Sequence, residues 1–332
     1  MLISSSLGLV IILALLFGFI NGMRDSSSIV ATMISSRAFP PRAALTMTAL
    51  VEFVGPFVFG VTVAKTVGGD IVASSALSLQ ALTVGLVGAI LWNLITWQFG
   101  IPSSSSHALI GGLIGATVIS SGWSAIKVSG LYKVLIALFA SPLVGFFVGF
   151  VVLRIIYYLA RHSSPHINNF FKRGQLLTAM VLAFSHGTND TQKTIGIIVL
   201  SLIIGGYLPE FSVPLWVIVV SAGAMSLGTS FGGWKLIRTL GSRFYKIQPV
   251  HGFATQLTSG LVILTASLTG LPVSTSQVVS SAIIGVGASE RFGKVRWGVA
   301  GDILTAWVIT IPISALFSAG IYSLLVYFNV SV

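Results

Sequence analysis

Eight apolar runs of about 20 residues or more follow one another along the chain, near 2–22, 43–64, 79–99, 129–153, 175–205, 214–232, 250–269 and 298–328. A run of that length crosses the hydrocarbon core of a bilayer as one helix, and inside hydrocarbon every backbone N–H and C=O must find a partner within the protein. The runs are continuous, so the chain is expected to be an all-α polytopic membrane protein.

The composition agrees: 55% of residues are hydrophobic, 8% are charged, and the mean hydropathy is +0.98. The longest polar stretch, Arg161 to Lys172, is too short to build a separate soluble core. The formal charge of +11 has no basic soluble face to carry it to nucleic acid. It is instead the usual excess of Lys and Arg in loops on the cytoplasmic side. No Lys or Arg precedes Arg24, so the first run reads as a retained span rather than a secretory leader. The absence of Cys excludes disulfides and thiolate metal sites.

Within this apolar background one polar pattern occurs twice, as GIPSSSS at Gly100–Ser106 and as GLPVSTS at Gly270–Ser276. An offset of 170 superimposes these strings and also places Gly115 on Gly285 and Pro142 on Pro312. An offset of 165 places Gly22-Met-Arg-Asp25 on Gly187-Thr-Asn-Asp190. The chain is therefore an internal repeat of two transmembrane halves, 1–160 and 175–332, joined by a basic linker at 161–174.

Basic loops alternate between the halves. Arg37 and Arg42 have no counterpart at 205–210; Lys235, Arg238, Arg243 and Lys246 face a nearly neutral segment around 65–70; Arg291, Lys294 and Arg296 face 120–125. By the positive-inside rule the halves are oppositely oriented, with the central stretch 154–173 inside and both termini outside. Counting 102–118 and 272–287 as crossings gives about ten spans, in two inverted-topology repeats with broken helices.

Pro102 and Pro272 are expected to open short half-helices, because Pro suits a helix's first turn. The first-turn N–H groups and the hydroxyls of Ser104, Ser105, Ser106, Ser274, Thr275 and Ser276 would then converge on a tetrahedral oxyanion. The bland alternative is that these hydroxyls satisfy their own helix carbonyls. Asp25 and Asp190 follow glycines that would let the backbone unwind, and an acid at membrane depth marks a functional site by default. With Asn21, Asn189 and freed carbonyls they would take a proton or sodium; Glu52 is a further candidate. The alternative is structural ion pairing of Asp25 with Arg24 and of Asp190 with Lys193. His107 and its counterpart Gln277 read as hydrogen-bonding support, His186 as a structural side chain, and neither histidine has metal-ligand spacing.

The long strings Phe184–Gly196 (FSHGTNDTQKTIG), Trp92–Gly112 and Gly270–Gln277 (GLPVSTSQ) resemble the inorganic phosphate transporter family, called PiT, and the likeness covers nearly the whole chain. The resemblance implies inverted repeats, cation-coupled import of phosphate across the cell membrane and a homodimer. It matches Asp25 and Asp190 to the family's motif acids and the hydroxyl runs to its phosphate-binding half-helices. The coupled cation would be a proton or sodium, the phosphate free or complexed with a metal, and no other cofactor is implied. A related branch carries sulfate. The first motif departs from the family's usual Asn-Gly-Phe-His-Asp-Thr-Ala-Asn by reading Asn21-Gly-Met-Arg-Asp-Ser-Ser-Ser28, which sets Arg24 beside the anion or the acid.

Two other functions compete. An intramembrane hydrolase could use Ser106 with His107 or His186, but adjacent helical residues do not face each other and no nucleophile elbow is present. A passive anion channel would have little use for two buried acids in repeated positions.

Overall fold

The computed structural model describes residues 5–70 and 77–330, and the chain ends expected on the outer face lie outside the described residues. Twelve α-helices and a few short turns make up these residues. The first six are α1 (Ser5–Ser35), α2 (Pro41–Val54), α3 (Thr62–Lys65), α4 (Leu79–Gln98), α5 (Ser105–Ser121) and α6 (Val128–Ala160). The second six are α7 (Ile167–Ile204), α8 (Leu215–Phe231), α9 (Trp234–Ser242), α10 (Pro249–Leu268), α11 (Thr275–Glu290) and α12 (Trp297–Tyr327). The order repeats element for element, and α7 already begins within the basic stretch 161–174.

Among the described residues four helices, α1, α4, α6 and α12, are long and apolar enough to cross a membrane alone. Two more crossings arise if each bent pair counts as one: the α2 segment turns by 73° into the α3 segment, and α8 turns by 68° into α9. Gly60 and Gly232 lie at these bends with φ of 77° and 75°, a backbone region that β-carbons disfavour. The broken helices are therefore here. The segments carrying Asp25 and Asp190 are not interrupted, contrary to expectation: α1 and α7 run through both motifs without a break. Gly22 and Gly187 serve close packing instead, because a β-carbon would strike the Met225 carbonyl in one case and the Glu52 carbonyl in the other.

The two halves interlock. α6 of the first lies along α11 of the second, and α12 of the second lies along α5 of the first. Gly115 and its repeat mate Gly285 permit this approach, since an added β-carbon would collide with the carbonyl of Ala315 or of Phe146. One large apolar cluster is built around α1, α4, α5 and the end of α7, and another around α9, α10, α11 and the start of α12.

Candidate functional site

The half-helices start later than expected. Pro102 and Pro272 lie two residues before the N-caps, which are Ser104 and Ser274. The Ser104 hydroxyl accepts the His107 N–H at 3.1 Å, so a hydroxyl rather than the proline ring sets the first turn. Ser274 makes no capping bond, and its hydroxyl lies 3.4 Å from that of Ser276. α5 and α11 contain 17 and 16 residues, about 26 and 24 Å of helix.

The two hydroxyl segments meet, and they do so reciprocally. Ser106 donates to the Val273 carbonyl at 3.3 Å, and Ser276, its repeat mate, donates to the Ser103 carbonyl at 3.5 Å. The acids stand behind the next hydroxyls in the same way. Ser105 donates to Asp25 at 3.4 Å, and Thr275 donates to Asp190 at 2.6 Å. His107 and Gln277, also repeat mates, touch each other at 3.2 Å.

Five charged side chains are buried among the described residues: Arg24, Asp25, Glu52, Asp190 and Lys193. All belong to this region. Lys193 Nζ bonds Asp190, Ser106 Oγ at 2.6 Å and the Val273 carbonyl at 2.8 Å, so one ammonium ties an acid to both hydroxyl segments. Arg24 bonds Asn93, Ser105 Oγ at 3.1 Å, Thr96 Oγ1 at 3.2 Å, Ser103 Oγ at 2.8 Å and the Ser103 carbonyl at 3.3 Å. Of the two ion pairs weighed above, Asp190 with Lys193 forms and Asp25 with Arg24 does not.

Glu52 joins the centre through His186, whose Nδ1 lies 2.6 Å from Glu52 Oε1 and whose Nε2 lies 2.9 Å from Asp190 Oδ2. Thr229 donates to the other Glu52 oxygen at 2.5 Å. Ligand atoms of Asp25, His186 and Asp190 all lie within 4.8 Å of one another, a spacing that can hold a small cation. Asn189 donates to Ser267 Oγ at 3.0 Å and to the Leu271 carbonyl at 3.2 Å, whereas its Oδ1, like that of Asn21, is a buried acceptor without a donor. Asp302 is exposed near the start of α12 and takes no part.

Sequence reasoning assigned His186 to the scaffold, yet it bridges two of the acids. The signal was its place four residues before Asp190 on one helix, which puts both on the same face. Asn93 and Thr229 carried no such signal, whereas Ser103 lies inside the first hydroxyl string.

The two loops that hold the prolines are covered from opposite repeats. Thr66, just after α3, donates to the Gly270 carbonyl at 2.9 Å, and Thr239 of α9 donates to the Gly100 carbonyl at 3.1 Å. On the α9 side Lys235 also donates to the Gln98 carbonyl at 3.0 Å, in a recess that Arg238 and Arg243 make basic.

A model of the phosphate transporter family matches residues 21–318. A "Probable low-affinity inorganic phosphate transporter" of Bacillus subtilis (strain 168) is 44% identical over 321 residues, covering 96% of each chain. A protein of the same description from Rhizobium meliloti (strain 1021) is 42% identical over 314 residues, covering 94% of each. A solved structure described as "The sodium-dependent phosphate transporter" shares the fold with a TM-score of 0.89 at 24% identity, over 97% of this chain and 99% of that one.

Proposed function

The chain belongs to the phosphate transporter family, and from that premise we propose that it imports inorganic phosphate by symport with a cation, through alternating access. It is a multi-pass membrane protein, and the relatives named above are transporters rather than enzymes. The observation that carries the proposal is the reciprocal meeting of the two hydroxyl segments, with an acid behind each: Ser106 on Val273, Ser276 on Ser103, Ser105 on Asp25, Thr275 on Asp190.

Two helix N-termini and the hydroxyls of Ser104, Ser105, Ser106, Ser274, Thr275 and Ser276 surround the anion, with Lys193 and Arg24, bonded to Ser106 and Ser105, as the positive charges beside it. A phosphate of one to two negative charges enters low dielectric only at high cost, and a cation bound beside it lowers that cost. Asp25, Asp190, Asn21, Asn189 and Glu52 supply the oxygens that attract the cation, and Arg24, Lys193, His107 and Gln277 hold the arrangement in place. Because Ser105 and Thr275 touch the acids as well as the anion position, the occupancy of each site alters the other.

The cation is sodium or a proton. The solved relative is described as sodium-dependent, which favours sodium. The His186 bridge accommodates a proton, because a neutral imidazole has one N–H and can donate to only one of its two carboxylates. In transport, α3 and α9 would loosen alternately from the Gly270 and Gly100 loops, opening the midplane site to one face at a time. The two halves 1–160 and 175–332 would then be the inverted units of this movement, with the α9 side and the 161–174 linker cytoplasmic and the termini outside. Radiolabelled phosphate uptake by proteoliposomes, with sulfate and arsenate as competitors, tests the substrate. Phosphate uptake that excess sulfate leaves unchanged supports it; faster transport of sulfate than phosphate moves the chain to the sulfate branch.

A further inference from the structure

Among the described residues Arg24 differs from the other buried lysine or arginine, Lys193, which pairs with Asp190. The Arg24 side chain is fully buried, yet among the described residues it forms no salt bridge. All its partners are neutral: Asn93, Thr96, Ser103 and Ser105. It also stands beside the N-terminal turn of α5, where the helix dipole already favours negative charge. A guanidinium without a directly bonded carboxylate is unfavourable in that place, and guanidinium does not deprotonate in proteins, so it depends on the charge of Asp25, which it meets through the shared Ser105 hydroxyl.

The repeat explains what this charge replaces. The offset of 165 that aligns Asp25 with Asp190 aligns Arg24 with Asn189. Both side chains reach the equivalent scaffold: Arg24 the end of α4 and the loop before α5, Asn189 the end of α10 and the loop before α11. The second half therefore has a neutral amide there, with a buried Oδ1 that lacks a donor, while the first half has a permanent positive charge. In the centre as a whole, three buried carboxylates, Asp25, Glu52 and Asp190, face two fixed positive charges, Arg24 and Lys193. With a neutral imidazole at His186 the centre lacks one positive charge, which either a proton on His186 or a sodium ion supplies; with Asn at position 24 it would lack two.

We propose that Arg24 is a built-in cation of this centre, so that one mobile cation, held where Asp25, His186 and Asp190 come together, accompanies each phosphate. Two halves that both carried Asn at this position would take two. The inference rests on the symport reading, and it sets the stoichiometry of that reaction.

The test compares wild type with Arg24→Asn and Arg24→Lys in proteoliposomes. Sodium and pH are varied separately, and the cation-to-phosphate ratio is read from the imposed gradients that just halt net phosphate flux. Wild type should give one cation per phosphate and a Hill slope of about one. Arg24→Lys keeps the charge and should keep that slope. Arg24→Asn should steepen the slope toward about two and raise the half-activating cation concentration by about tenfold or more. A wild-type ratio of two or more overturns the proposal even if Arg24→Asn does not fold. So does an active Arg24→Asn protein with the wild-type slope and ratio. If no cation gradient drives wild-type uptake, the symport reading itself fails, which is a separate result from a coupled transporter with the wrong ratio.

Discussion

Replacing Asp190 by Asn keeps the side chain's size and removes its charge, which isolates the coupling role from packing. Asp190 contacts Thr275 at 2.6 Å and His186 at 2.9 Å, and it pairs with Lys193. Breaking a buried ion pair by neutralising one partner costs about 3–5 kcal/mol, because the other charge is left behind. Lys193 retains Ser106 and the Val273 carbonyl at 2.6 and 2.8 Å, and the amide oxygen can still accept from Thr275, so the lower figure of about 3 kcal/mol applies. At about 1.4 kcal/mol per tenfold this is roughly a hundredfold loss. We expect cation-driven phosphate uptake at sub-saturating cation to fall by about that factor in proteoliposomes of matched protein content, with the remaining uptake insensitive to the cation. Asp190→Glu, which restores the charge, should recover part of the loss. Wild-type uptake with wild-type cation dependence in Asp190→Asn would refute the reasoning. A lowered melting temperature with unchanged uptake would reduce the acid to a structural role.

Three further outcomes follow from the fold. Ser104→Ala should lower thermal stability by about 1 kcal/mol through loss of the cap on His107 N–H, whereas Ser274→Ala, which removes no capping bond, should have a smaller effect. Gly285→Val should destabilise by about 1–3 kcal/mol or more through collision with the Phe146 carbonyl, while Gly293→Ala, with open space around it, should be close to neutral; detergent melting curves read both. Single cysteines at Ser36 and Gly206, in a chain with no native Cys, should label with an impermeant thiol reagent from opposite faces; labelling from one face would overturn the inverted orientation.

The architecture was legible where the sequence repeats itself. The hydroxyl strings at 100–106 and 270–276 pointed to two converging half-helices because polar side chains at membrane depth need a shared purpose, and their contacts across the repeat are reciprocal. The offset of 170 located the Gly115 and Gly285 contacts as well, although spacing alone could not say which helix they meet. Local signals misled where one residue type serves two ends. Gly22 and Gly187 suggested unwinding, but a glycine in a helix equally permits close approach, and only the neighbouring Met225 and Glu52 carbonyls decide between them. Pro102 and Pro272 suggested helix starts, whereas the hydroxyls two residues on provide the N-caps. Glu52 had no acidic repeat mate, so its link through His186 to Asp190 depends on how α2 lies against α7, which no spacing within one segment encodes.

The central claim is that phosphate and a cation move together through one site. Its most direct test is concentrative uptake by purified protein in proteoliposomes holding equal phosphate on both sides, with an inward sodium gradient in one set and an inward proton gradient in another. Symport predicts net accumulation of labelled phosphate under at least one gradient, collapse of that accumulation when an ionophore dissipates the gradient, and outward phosphate movement when the gradient is reversed. Phosphate exchange that proceeds at the same rate under every gradient and never accumulates would contradict symport and leave a passive carrier or channel.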